Sequence, residues 1–224
     1  DEATFWSSMD NGAESKIHRM KIDGVVTESY DTPGLHHAFR ELPDGSLIWG
    51  NALTEYETIE RLSPDGTRET VWDCTDFYQS EALGGWCHSN AIFHSVPTDS
   101  LLVSLPDPDA VVEIDLTSGE VLDWWSHNRG TSFDPEDTTF WFQHGTTFTD
   151  DGTLLLSTHA AEDDIDAVVR EFEVDGQALT EIWSQGLGDG IDAEYAGEAH
   201  RLPGGNTLHN TGTTPRVREI TPDL

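Results

Sequence analysis

A short segment of alternating apolar and polar residues, ending in a turn, recurs five times along the chain. The period is roughly 40–57 residues, which is typical of propellers and solenoids. Four of the five copies are followed by a second short β-prone segment, and an Asp-Gly pair between two such segments predicts a hairpin. The copies are 16–24, 58–66, 110–119, 167–176 and 216–223.

A second kind of hairpin precedes four of these copies. It occupies 37–49, 88–103, 144–156 and 197–208. Each full unit therefore contains four short strands, as in a propeller blade, and no stretch of ten or more residues has a convincing helical period. We predict an all-β fold: a single β-propeller domain over 1–224, with about five four-stranded blades. The first and last repeats are incomplete, which leaves two alternatives. Either two incomplete blades pack together at the seam, or the chain is part of a six-bladed propeller.

The charge balance excludes some functions. Asp and Glu number 43 against 11 Lys and Arg, a net charge of −32, so phosphate-neutralising nucleic-acid recognition is excluded. No apolar run approaches the ~18 residues of a membrane span, and the first residues lack the features of a signal peptide. The acidic residues are spread evenly and lysine is nearly absent, which favours a surface adapted to molar salt. We expect a protein of an extreme halophile that loses structure as salt is removed.

Histidines recur at the start of the inner strands. His37 and His144 each lie eight residues before the glycine of their turn, and His88 opens the third copy. In the fourth copy Gly197 takes this place and His200 follows three residues later. Because equivalent positions in a radial repeat converge on its axis, we predict a ring of histidines with His37, His88 and His144 as the catalytic candidates.

Three roles for such a ring remain open. Three imidazoles match a catalytic zinc site, but no tight His-x-x-x-His spacing occurs, so we predict neither a metal nor another cofactor. Alternatively, one histidine is a nucleophile, with Asn90 donating to the bound anion and Arg40 or Arg201 supplying positive charge. A repeat also duplicates structural residues, so the same histidines are compatible with strand caps.

Two tryptophans lie just before candidate histidines. Trp86 precedes His88 and Trp141 precedes His144. Packing in the core is the simpler role for the tryptophans of this chain, but either of these two is placed to stack on an aromatic ligand.

The two cysteines, Cys74 and Cys87, lack the Cys-x-x-Cys spacing of a metal or redox motif. They predict either a disulfide, which would suit an extracytoplasmic protein, or two buried thiols.

Three segments together resemble the arylsulfotransferase propeller family. They are 85–92 with 99–104, 142–144 with 151–156, and 197–208 with 217–222. The resemblance implies a periplasmic or cell-surface enzyme. Such an enzyme moves a sulfuryl group from a small aryl sulfate to a phenol through a channel histidine, without a nucleotide donor.

By motif, His88 and Asn90 match the family's channel histidine and its partner, and His144 matches the histidine of its Gln-His pair. His200 stands where relatives often carry Gln. The segment 157–164 departs from the family, which has an Asn-Gly pair and a basic residue there. This departure favours the alternative function, a non-catalytic binding or scaffold module on the cell surface.

Overall fold

The computed structural model describes residues 4–9, 12–80, 87–195 and 197–222 and consists mainly of antiparallel β-strands. The chain divides into two compact units, Asp1–His88 and Ser89–Leu224. Five sheets follow one another along the sequence, two in the first unit and three in the second. The fold is a β-propeller with these sheets as its blades, which confirms the predicted fold class.

The first unit contains a three-stranded sheet, ordered β1-β2-β3, and a four-stranded sheet, ordered β4-β5-β6-β7. A single turn of 3-10 helix (Gly12–Glu14) lies between β1 and β2. The other elements are β1 (Thr4–Met9), β2 (Lys16–Lys21), β3 (Val26–Asp31), β4 (Leu35–Glu41), β5 (Leu47–Asn51), β6 (Thr58–Leu62), β7 (Arg68–Asp73) and helix α1 (Cys74–Ser80).

The second unit contains three sheets, ordered β8-β9-β10-β11, β13-β14-β15-β16-β12 and β17-β18-β19. Its strands are β8 (Ala91–Ser95), β9 (Ser100–Leu105), β10 (Ala110–Asp115), β11 (Val121–Trp125), β12 (Ser132–Asp134), β13 (Trp141–Phe148), β14 (Leu154–Ala161), β15 (Asp164–Asp175), β16 (Ala178–Gln185), β17 (Glu198–Arg201), β18 (Thr207–Asn210) and β19 (Val217–Ile220). A 3-10 turn (His127–Arg129) follows β11.

The number of strands per blade is not uniformly the four that the repeat predicts. Within the described residues the first and last sheets have three strands, two sheets have four, and one has five. The fifth strand of that sheet is β12, which pairs in parallel with β16, with Ser132 opposite Ala178. Such a pairing joins segments far apart in sequence, so no local turn motif predicts it.

The hairpin turns follow directly from the sequence. Gly45 N donates to Leu42 O at 2.9 Å and Leu42 N donates to Ser46 O at 2.8 Å. The turn requires a left-handed residue at its last position, and Gly45 has φ +83°. Asp44 Oδ1 accepts the Ser46 N–H at 2.9 Å, an Asx bond that favours the turn. The same pair of backbone bonds recurs around Gly66, so these two hairpins share one turn geometry.

Apolar residues from alternating strand positions form the cores. In the first unit Ile17, Leu35, Leu47 and Trp49 pack together and are essentially inaccessible. The larger cluster of the second unit surrounds Trp125 and consists of Leu102, Val111, Trp125, Phe133, Phe140, Leu154, Leu156, Phe172 and Leu179. Four of the seven tryptophans that the structure describes are buried, as their expected packing role requires: Trp49, Trp72, Trp124 and Trp125. Among the described residues no helix is long and apolar enough to cross a membrane.

Candidate functional site

Three imidazoles meet in the first unit, and we call them the histidine cluster. His36 and His37 lie on β4, and His88 follows Cys87 at the end of the unit. His37 Nε2 lies 2.7 Å from His88 Nε2, and one nitrogen from each of the three rings lies within 4.8 Å of the others. Two predicted residues that are 51 positions apart are thus in direct contact.

A buried carboxylate, that of Glu57, contacts one member of the cluster. His36 Nε2 lies 3.1 Å from Glu57 Oε1, and the Glu57 side chain is only 1% exposed. The His36 side chain is 11% exposed, whereas His37 is open to solvent. Exposure therefore increases from the buried Glu57 through the half-buried His36 and His88 to the exposed His37.

An irregularity in β4 explains how two consecutive residues face the same site. Leu35 pairs with Asn51 and Phe39 pairs with Trp49, so four steps along β4 match two steps along β5. In a regular strand His36 and His37 would point to opposite faces. A bulge re-aims side chains locally, and here it brings His36 into the cluster.

A disulfide holds the segment that carries His88. Cys74 and Cys87 are bonded, with their Cα atoms 6.5 Å apart. Cys74 N donates to Glu57 O at 3.1 Å, and Cys87 N donates to Tyr56 O at 3.3 Å. The covalent bond and the two hydrogen bonds therefore tie the chain before His88 to the chain that carries Glu57.

Two members of this arrangement have backbone conformations that favour glycine. Glu57 has φ +108° and His88 has φ +50°. A non-glycine residue in such a region carries strain of order 1–3 kcal/mol, and strain of this kind concentrates at functional sites. Both side chains contribute directly to the cluster, so the strain coincides with the candidate site.

His144 and Asn90 lie in the second unit. His144 is a half-buried residue of β13 and pairs across the sheet with Ser157. Asn90 is buried, and its Nδ2 donates to the carbonyl of Gln143 at 2.9 Å. The amide hydrogen that sequence reasoning assigned to a bound anion thus holds the chain preceding β8 against β13.

His200 has a partner within its own blade, whereas Arg201 contacts the preceding blade. His200 is exposed and its Nε2 lies 3.2 Å from Glu198 Oε2. Arg201 forms an ion pair with Glu171, and its guanidinium lies 5.2 Å from the centroid of the Trp183 ring. The positive charge of Arg201, predicted to attract an anion, is balanced by a carboxylate.

Arg40 and Trp86 are two of the three remaining candidates. Arg40 lies on β4 opposite Ile48, in the same strand as two members of the histidine cluster. Trp86 lies outside the described residues.

Trp141 lines a separate cleft of about 440 Å³ in the second unit, and its ring packs on His127 with centroids 4.0 Å apart. Asp109, which also lines it, accepts a hydrogen bond from Phe142 N at 2.5 Å. Burial raises the pKa of Asp109 to about 6, against the effect of this hydrogen bond. His159, a third lining residue, has its pKa lowered by burial while its Nε2 bonds Ala193 O at 2.9 Å. Sequence reasoning did not identify this cleft.

His36 belongs to the histidine cluster but was not among the predicted site residues. It lies next to His37 but does not share the spacing to the turn glycine, so the register gave it no role. The adjacent pair His36-His37 at the start of an inner strand was the available indication.

Comparison with known proteins establishes the fold. No family model matches the sequence, and no curated protein matches it. Among solved structures, a protein of unknown function from Bacteroides caccae matches with a TM-score of 0.64 at 16% identity, over 98% of this chain and 74% of that one. A streptogramin B lyase matches with a TM-score of 0.59 at 14% identity, over 97% and 65%.

TolB from Acinetobacter baumannii matches with a TM-score of 0.63 at 11% identity, over 98% of this chain and 49% of that one. The chain thus spans about half to three quarters of the length of these three structures. At such identities the likeness concerns the β-propeller fold alone.

Proposed function

We propose that this protein transfers a sulfuryl group from an aryl sulfate to a phenol, with the His37–His88 pair as the reacting centre. The observation that carries the proposal is the 2.7 Å contact between the two Nε2 atoms. At this distance the two rings share one proton, so one nitrogen is a donor and the other has a lone pair. Nucleophilic transfer needs both properties in one place.

The chemistry balances when the pair carries one extra proton, so that one ring is neutral and the other is an imidazolium. Substrate binding breaks the N–H···N bond, and the neutral nitrogen attacks sulfur. The S–O bond to the aryl group breaks, and the imidazolium gives its proton to the departing aryl oxygen. In the second half the acceptor phenol attacks sulfur, the N–S bond breaks, and the phenol proton returns to the partner ring.

The surroundings of the pair support this role. His37 is exposed, so an aryl sulfate has access, and Glu57 orients His36 beside the pair. The Cys74–Cys87 bond limits the movement of His88, and positioning of reacting groups is a large part of catalysis. The resemblance to arylsulfotransferases, based on 85–92, 142–144 and 197–208, points to the same chemistry.

An extracytoplasmic location in a halophile is part of the proposal. Disulfides persist in oxidising compartments, and the first unit contains one. The net charge of −32 favours a working environment of high salt, where self-repulsion is screened.

The test is release of 4-nitrophenol from 4-nitrophenyl sulfate in molar KCl, with and without added phenol. His37→Gln and His88→Gln should each lower acceptor-dependent release by at least about 100-fold, because each removes one half of the pair. His18→Gln, on β2 of the same unit and outside the cluster, is the matched control and should leave release unchanged. His144→Gln tests the third predicted histidine separately.

Circular dichroism confirms that each variant is folded. Equal release in wild type, His37→Gln and His88→Gln would reject the pair as the reacting centre. The absence of acceptor-dependent release from folded wild-type protein would reject sulfuryl transfer and favour a binding module.

A further inference from the structure

We infer that the histidine cluster binds one divalent transition-metal ion of the Zn²⁺ or Co²⁺ class, through one ring nitrogen each of His36, His37 and His88. One nitrogen from each ring lies within 4.8 Å of the others. Neutral imidazole is the commonest protein ligand for such ions. This inference goes beyond the proposed function, because ion binding requires neither a sulfuryl donor nor an acceptor.

The distances show what must move. Around a tetrahedral ion with Zn–N distances of about 2.0–2.1 Å, ligand nitrogens are about 3.3 Å apart. The Nε2 atoms of His37 and His88, now 2.7 Å apart, would therefore separate by about 0.6 Å. His37 is the exposed member of the cluster, so we expect its ring to move. The ion thus replaces the proton between the two rings, and the solvent side supplies the fourth ligand.

The surroundings of His36 match those of known metal ligands. A ligating histidine commonly donates its second N–H to a carboxylate, which fixes its tautomer and ring orientation. His36 Nε2 is 3.1 Å from Glu57 Oε1, on a side chain that is almost wholly buried. The Cys74–Cys87 disulfide restrains the segment before His88, so part of the ordering is present before an ion binds.

The ligand set also predicts selectivity. Imidazoles favour Zn²⁺, Co²⁺, Ni²⁺ and Cu²⁺, whereas Mg²⁺ and Ca²⁺ favour oxygen ligands. The surface carries many carboxylates, since Asp and Glu number 43. Binding at the histidine cluster is therefore distinguished from binding at the surface by its resistance to Mg²⁺ and Ca²⁺.

One consequence rests on the proposed function. An ion bound to His37 and His88 occupies the lone pairs that attack on sulfur requires. Zn²⁺ should therefore inhibit sulfuryl transfer, and a chelator should restore it.

The experiment is a Co²⁺ titration of the full chain in molar KCl, after treatment with a chelator, followed by visible absorption of the bound ion. Wild type should bind one equivalent. His37→Gln and His88→Gln should each weaken binding by more than about 100-fold, and Glu57→Gln by about 10–100-fold through loss of support to His36. His18→Gln is the matched control and should bind as wild type does.

Several results would overturn the inference. They are no binding at millimolar Co²⁺, equal affinity in wild type and both histidine variants, and displacement by millimolar Mg²⁺ or Ca²⁺. The two proposals fail separately. Co²⁺ binding without sulfuryl transfer supports the metal site and rejects the transferase. Sulfuryl transfer without Co²⁺ binding supports the transferase and rejects the metal site.

Discussion

Acid should destabilise the second unit through His209, a histidine with no accessible surface. Arg218 donates to its Nδ1, with Nε and Nη2 at 3.3 and 3.2 Å, so Nδ1 is an acceptor and the ring proton resides on Nε2. Nε2 lies 2.9 Å from Ser157 Oγ and donates to it. A second proton on Nδ1 would remove the Arg218 bond and leave two adjacent cations in a buried place.

The magnitude follows from the difference in proton affinity between the folded and unfolded states. Burial, with a smaller contribution from Arg218, lowers the pKa of His209 from 6.5 to about 4. The unfolded chain therefore binds this proton first as the pH falls, so stability is full above pH 6.5 and decreases down to pH 4. The loss in the free energy of unfolding is about 2 kcal/mol at pH 5 and about 3 kcal/mol at pH 4.

The assay is urea unfolding at fixed molar KCl, at steps between pH 7.5 and pH 4, for wild type and His209→Asn. The asparagine oxygen accepts from Arg218 but does not titrate, so the difference between the two proteins isolates His209 from the many carboxylates. We expect wild type to be more stable at pH 7.5, with the difference shrinking by about 2 kcal/mol at pH 5.

His200→Asn replaces an exposed histidine of the same unit and serves as the matched control for the substitution. A constant difference between wild type and His209→Asn across the range would refute the reasoning.

Two further changes test other parts of the molecule. Asp109→Asn should stabilise the second unit by about 1–2 kcal/mol above pH 6. The reason is that burial raises the pKa of Asp109 from 3.8 to about 6, so ionisation of this carboxyl opposes folding as the pH rises through that range. Urea unfolding at pH 7.5 and pH 4 checks that the gain in stability disappears in acid. Replacing both Cys74 and Cys87 by serine should lower the free energy of unfolding by about 3 kcal/mol, as expected for a short loop. Because the disulfide restrains His88, the same variant should also lose Co²⁺ affinity. Wild-type Co²⁺ affinity in a stable double-serine protein would contradict this restraint.

The part of the fold that local chemistry determines could be predicted from the sequence. An Asp that bonds the N–H two residues on, followed by a Gly that accepts positive φ, defines a turn within five residues, as at Asp44 and Gly45. The spacing from such turns predicted that an inner strand begins at His37, and the structure places this residue third in β4. By contrast, the parallel pairing of β12 with β16 depends on two segments more than 40 residues apart, and no turn residue encodes it.

Strand alternation did not predict that His36 joins His37 in the candidate site. Alternation assigns His36 and His37 to opposite faces, and the bulge between Leu35 and Phe39 removes that alternation. A bulge depends on how two strands pair, so the sequence of one strand does not reveal it. Inner strand β13 has register shifts on both sides of His144 as well, so strand alternation does not predict the facing of that histidine either.

The strained residues give a physical reason to regard the cluster as more than a packing motif. Glycine would adopt the conformations of Glu57 and His88 with little strain, as it does at Gly45 and Gly66 in the turns. At Glu57 and His88 the chain instead carries large polar side chains, at a strain of order 1–3 kcal/mol each. Glu57 is also a buried carboxylate, which is unfavourable unless it is hydrogen-bonded, and its contact with His36 provides that bond. Stability alone would favour glycine and an apolar residue here, so the arrangement is better explained by the chemistry of the imidazoles that it positions.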